Sequence, residues 1–197
     1  FRIVYFHYVY GLGMIVQRSR KVFLNWRLSK ILIFPNDTSR YTTELTESLA
    51  LNGESVGFFP RISPSASLSI LLLPFISPIL VLRGNRIIHI HWLYSFSLLW
   101  TKQTLFRVLI QIWFYIWIIS LRLSGIKIVY TAHNITPHDA IFYNDRQSCN
   151  FLEKRASAII VLNELSLSMY KQKFPDKNLS LISEGPLEIE SNHTREA

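Results

Sequence analysis

The densest run of chemically capable side chains is His133-Asn134-Ile135-Thr136-Pro137-His138-Asp139. An imidazole can donate to a sugar hydroxyl or a phosphate oxygen, and unperturbed it titrates near neutral pH. Asn134 can hydrogen-bond a ligand or hold a tight turn. Pro137 suits the first position of a helix, which places His138 and Asp139 in its first turn. An acid at that position either complements the helix dipole or serves as a catalytic base. His89 and His91 form an H-x-H pair, so on a strand both side chains face the same way. Together with His133 and His138 they raise metal-dependent hydrolysis as one option, but no acid-rich ligand set accompanies them and no metal is expected. His91-Trp92 fits the wall of a substrate cleft better, with His89 deeper in the sheet.

Residues so far apart in sequence need a scaffold to bring them together. Residues 30–35 (KILIFP) are a short continuous apolar run, the pattern of a strand buried on both faces of a parallel sheet. Four good N-cap types follow in Asn36, Asp37, Thr38 and Ser39. An amphipathic helix comes next, with Leu45 and Leu49 four apart and Asn52-Gly53 as its stop. Further strands are predicted at residues 55–60, 86–92, 126–132, 157–162 and 178–183, and helices at 98–124, 145–156 and 164–174. Pro74 and Pro78 break the apolar run in residues 61–85, which predicts two short helical turns there rather than one helix. Helix 98–124 is apolar nearly all round and long enough to span a bilayer, but Arg107, Gln111 and Arg122 argue for a buried or interfacial helix instead.

Strands alternating with helices predict an α/β fold, a Rossmann-like doubly wound parallel sheet with helices on both faces. Ligands of such sheets bind at the carboxyl ends of the strands. That rule gathers residues 36–41, His91-Trp92, residues 133–139 and Asn163-Glu164 onto one rim.

Composition narrows the function classes. Of 197 residues, 49 % are hydrophobic and 17 % charged, which excludes a disordered chain. A single cysteine, Cys149, excludes an intramolecular disulfide framework and a multi-cysteine zinc site. Residues 1–138 hold fourteen Lys/Arg against four acids, whereas 139–197 hold seven against nine. No acid occurs between Glu54 and Asp139. A basic, aromatic half suits an anionic lipid surface or a phosphate ester. Nucleic acid is not expected, because the bases are dispersed and no nucleic-acid-binding signature is present. The absence of G-x-G-x-x-G, of a P-loop and of G-x-S-x-G removes support for dinucleotide, nucleoside-triphosphate and serine-hydrolase chemistry, and no cofactor is expected. Residues 1–29 read as a basic, apolar leader, 30–185 as the folded domain and 186–197 as a polar tail.

The succession KILIFP, SRYTTELTESLALNG, RIIHIHWL, a long apolar helix, SGIKIVYTAHNITPHD and RASAIIVLNELS resembles the N-terminal, acceptor-side domain of GT-B glycosyltransferases. Within these it is most similar to the family 4-type enzymes that build exopolysaccharides and lipid-linked glycans. VYTAHNITPHD is the most specific stretch. The resemblance implies half of a GT-B fold, with the nucleotide-sugar held by a second domain or a partner subunit. It implies that His133 contacts the donor sugar and that Asp139 shares the catalytic site. Ser39, Arg40 and Tyr41 would lie near the donor phosphates or the acceptor. His91, Trp92, Asn134, His138 and Glu164 would line the same cleft. In place of the glycine pair frequent in the family's first loop stands Ser39-Arg40-Tyr41. The chain ends at Ala197, where the second domain is expected to begin, which implies negligible activity in isolation. The implied partners are a nucleotide-sugar, a lipid-linked glycan acceptor and the cytoplasmic leaflet of the plasma membrane. The alternative is a non-catalytic α/β module that docks a partner or membrane through helix 98–124.

Overall fold

Each short apolar run is followed by a polar turn and an amphipathic segment, and that alternation sets the architecture of the computed structural model. It describes residues 29–36, 39–60, 63, 65–96, 103–133 and 141–182. In chain order come β1 (Ile31–Phe34), α1 (Arg40–Leu51), β2 (Val56–Phe58), α2 (Ala66–Leu82) and β3 (Ile87–Ile90). After a 3-10 turn at Tyr94–Phe96 follow α3 (Thr104–Leu123), β4 (Lys127–Ala132), α4 (Asp145–Arg155), β5 (Ala158–Val161), α5 (Glu164–Lys173) and β6 (Leu179–Leu181). Among the described residues all strand pairings are parallel, in the order β2-β1-β3-β4-β5-β6. The six strands fall where the apolar runs predict them, and the fold is α/β and consistent with a Rossmann-like sheet.

Side chains of alternating parity build two layers on the sheet. Ile31, Ile33 and Val56 pack with Leu45 and Leu49 of α1. Leu32, Phe34, Ile88, Ile90, Ile128, Tyr130, Ile159 and Val161 point the other way, into a core completed by residues of α2, α3, α4 and α5. Among the described residues α1 alone covers one face, over β1 and β2, whereas α2 to α5 pack on the other; Val129, Ala158 and Ile160 on the α1 side pack with Ile87, Leu162 and Ile182 instead of a helix. An aromatic knot sits at the centre of the larger core: the Trp117 ring lies 4.8 Å from Phe34 and 5.7 Å from Phe96.

The helix stops are written in the sequence. Gly125 takes φ +77°, donates to Arg122 O (3.0 Å), and lets Ile126 N–H reach Leu121 O (3.0 Å). This is a Schellman closure, which only glycine enters without strain. Gly53, predicted as the stop of α1, closes that helix with the same pair of bonds to Ala50 O and Leu49 O.

The two helical turns predicted in residues 61–85 are instead one 17-residue helix with Pro74 and Pro78 inside it. A proline in a helix lacks the N–H that would bond the carbonyl four residues back. The carbonyls orphaned here are those of Ile70 and Pro74. Both are answered from α3: Trp113 Nε1 donates to Ile70 O at 3.0 Å, and Ser120 Oγ donates to Pro74 O at 2.6 Å. Trp113 and Ser120 lie two turns apart on α3, so one helix face repairs both breaks in its neighbour.

Arg107 and Gln111 are also accounted for. The Arg107 guanidinium donates to Phe142 O and lies 3.7 Å from Asp145, while Gln111 Oε1 accepts from Asn144 N–H at 2.9 Å. These polar groups hold α3 against the start of α4.

Candidate functional site

β1 and β3 are neighbours, yet the chain leaves β1 in one direction to form β2 and returns on the other side to form β3. Such a reversal opens a crevice at the carboxyl ends of the two strands. Three segments emerge there. Tyr41 is the second residue of α1, just past β1; His91-Trp92 directly follows β3; and His133 directly follows β4. His91 N–H donates to Phe34 O at 2.8 Å, which extends the β1–β3 ladder by one bond and fixes the start of the crevice wall.

Four rings interlock at this position. Tyr41 stacks on His91 at 4.4 Å between centroids, with the planes 11° apart. Trp92 stacks on His133 at 3.9 Å and 12°. The two imidazoles meet edge to face at 86°, and His133 Nε2 lies 3.0 Å from Nδ1 and 2.9 Å from Nε2 of His91. His91 is buried, whereas Tyr41, Trp92 and His133 are half-buried and form the rim. Beneath them, buried His89 lies 2.7 Å from Thr131 Oγ1, a hydrogen bond joining β3 to β4.

Burial decides the charge of this column. Desolvation, with the other imidazoles adding repulsion, pushes His91 far below the usual histidine range. Desolvation lowers His133 to about 4, and desolvation with the neighbouring His133 lowers His89 to about 4. An unperturbed imidazole titrates near neutrality, but half-buried His133 gives up part of its hydration among the stacked rings, which disfavours its charged form. Near pH 7 the column is neutral, so it serves as a set of hydrogen-bonding groups and apolar ring faces rather than as a cation. Among the described residues, no three His, Cys, Asp or Glu side chains group as a metal site.

Other expected positions are less central. Ser39 is the N-cap of α1; its Oγ accepts from Thr42 N–H at 3.5 Å and lies 3.0 Å from Thr42 Oγ1. Arg40 opens α1 beside it. Glu164 is exposed at the first position of α5, behind the Asn163 cap whose Oδ1 accepts from Ser166 N–H at 2.8 Å. It occupies the carboxyl end of β5, two strands beyond β3. Asn134, His138 and Asp139 lie outside the described residues. Sequence reasoning missed Thr131 as a support. The signal was available in the strand alternation: Thr131 and His133 share a face, as do His89 and His91, and β3 lies beside β4.

Cys149 lies on the buried side of α4, and burial followed by the nearby Glu153 pushes its thiol up to about 12, which favours the protonated thiol near neutral pH. Comparison with protein-family models, with curated proteins and with solved structures found no match to this chain.

Proposed function

We propose that this chain is the acceptor-side half of a glycosyltransferase, moving a sugar from a nucleotide-sugar to a lipid-linked or polysaccharide acceptor. The ring column at the β1/β3 crevice carries the proposal. Trp92 and Tyr41 offer the aromatic surface on which the apolar face of a pyranose stacks, and His133 offers a hydrogen-bonding edge within the same half-buried cup. Neutral imidazoles suit a polyhydroxylated ligand, because each ring keeps one donor and one acceptor nitrogen. A second domain or partner holds the nucleotide, and closure against it excludes water from the reacting centre. Asp139 and His138 complete the acceptor side in this proposal.

The test is transfer of labelled sugar by this chain together with the domain or partner that holds the nucleotide, using a panel of nucleotide-sugars and lipid-linked acceptors. His133→Ala is expected to lower the rate about 100-fold or more, with circular dichroism unchanged, as expected when a positioned hydrogen bond and its stacked ring are lost. Full activity in His133→Ala and in Trp92→Ala contradicts the proposal.

A further inference from the structure

The face of α2 and α3 that points away from the sheet is apolar along its whole length. On α3, Leu105, Leu109, Ile112, Ile116, Ile119 and Leu123 recur at alternating spacings of four and three and are all exposed. On the adjoining helix Leu68, Leu71, Phe75, Ile79 and Leu82, spaced three or four apart, are exposed as well. The two stripes are continuous, since α2 and α3 are clamped by the Trp113 and Ser120 hydrogen bonds and Phe75 lies 6.1 Å from Trp113. Together they expose on the order of 1,000 Å² of side chain, beyond the roughly 300–600 Å² of the largest patch on an ordinary monomer.

Charge identifies the occupant. α2 carries no charged residue. At the far end of the face, where the almost fully exposed Leu82 and Leu123 end the two helices, stand exposed Arg83, Arg86 and Lys127; Arg86 Nη1 donates to Val81 O at 3.5 Å and Lys127 N–H bonds Arg86 O at 2.9 Å, while the Arg122 guanidinium turns away to Ser157 Oγ. The sequence from residue 55 to 138 contains no acid. A second copy laid on this face would bring no carboxylate from either helix to meet those cations. A leaflet with anionic headgroups supplies phosphate for the basic end and hydrocarbon for the stripes at once. Gln111, Phe114, Trp117, Ile118 and Leu121 are buried against the protein, so α3 lies along the interface rather than through it.

We propose that the α2/α3 face seats this protein flat on an anionic membrane leaflet. This stands apart from the chemistry of the β1/β3 crevice. Flotation of the chain with phosphatidylcholine vesicles, with and without phosphatidylglycerol, tests it. Binding is expected to be about tenfold stronger with phosphatidylglycerol and to weaken in high salt. Phe75→Asp with Ile112→Asp, and separately Arg83→Glu with Arg86→Glu, are expected to weaken binding to the anionic vesicles about tenfold, with helix content unchanged by circular dichroism. Vesicles brominated on their acyl chains are expected to quench Trp113 in the unaltered chain, a readout that needs no surface variant. Absence of flotation, equal binding by the Phe75/Ile112 variant, or no quenching overturns the proposal. Self-association abolished by the same variant, without vesicle binding, would assign the face to a second copy.

Discussion

His89, His91 and His133 tie stability to pH with a definite sign. An unfolded imidazole titrates near 6.5, whereas folded His89 and His133 titrate near 4, each lowered chiefly by burial. Between those values the unfolded chain binds more protons than the folded one. Stability is therefore complete above about pH 6.5 and falls as the pH drops toward 4, where the folded state begins to take up protons itself. The melting temperature is expected to fall by about 5 °C or more from pH 7 to pH 5, and His89→Gln is expected to flatten that slope while lowering stability at pH 7. An unchanged slope in the variant contradicts the assignment. Cys149 supplies a second residue-scale check: its buried, raised thiol is expected to react with a disulfide reagent at pH 8 about 100-fold more slowly than after unfolding. His91 and His133 were legible in the sequence as rim residues, with His89 deeper in the sheet. Their neutrality was not, because it depends on which rings stack on which.

At the scale of elements, the proline-bearing α2 makes the sharpest demand on the structure. Ser120→Ala leaves Pro74 O without its donor from α3 and is expected to cost about 1–2 kcal/mol; Trp113→Phe does the same to Ile70 O and also loses packing against Phe75. Pro78→Ala restores an N–H for Pro74 O, so Ser120→Ala is expected to cost less in that background. Additive costs in that double-mutant cycle, measured by denaturant unfolding, would contradict the pairing. Gly125→Ala forces a Cβ into a left-handed turn and is expected to cost about 1 kcal/mol. The strands were readable because a strand buried on both faces needs an unbroken apolar run, as in KILIFP and SAIIVL. The stops at Gly53 and Gly125 were readable because their chemistry is local. The continuity of α2 was not, because the donors that repair it lie 43 and 46 residues further along the chain.

For the molecule as a whole, alternation of strands and helices fixes a parallel sheet but not its strand order. The order β2-β1-β3-β4-β5-β6 sets Tyr41, His91, Trp92 and His133 at one crevice and leaves Glu164 two strands from His91. The same order places α2 and α3 side by side, so the apolar character legible in helix 98–124 extends into one exposed face with α2. Under the proposed function the ring column is a sugar-binding cup built from neutral imidazoles. The most direct test of that reading is nitrogen NMR of histidine-labelled protein at about pH 6.5, titrated with nucleotide-sugars and with the free glycan acceptor. The account predicts the neutral ring pattern for His89, His91 and His133 before ligand, and ligand-dependent shifts at His91 and His133 that vanish in Trp92→Ala. Protonated rings at that pH, or resonances that no sugar ligand moves, would contradict it.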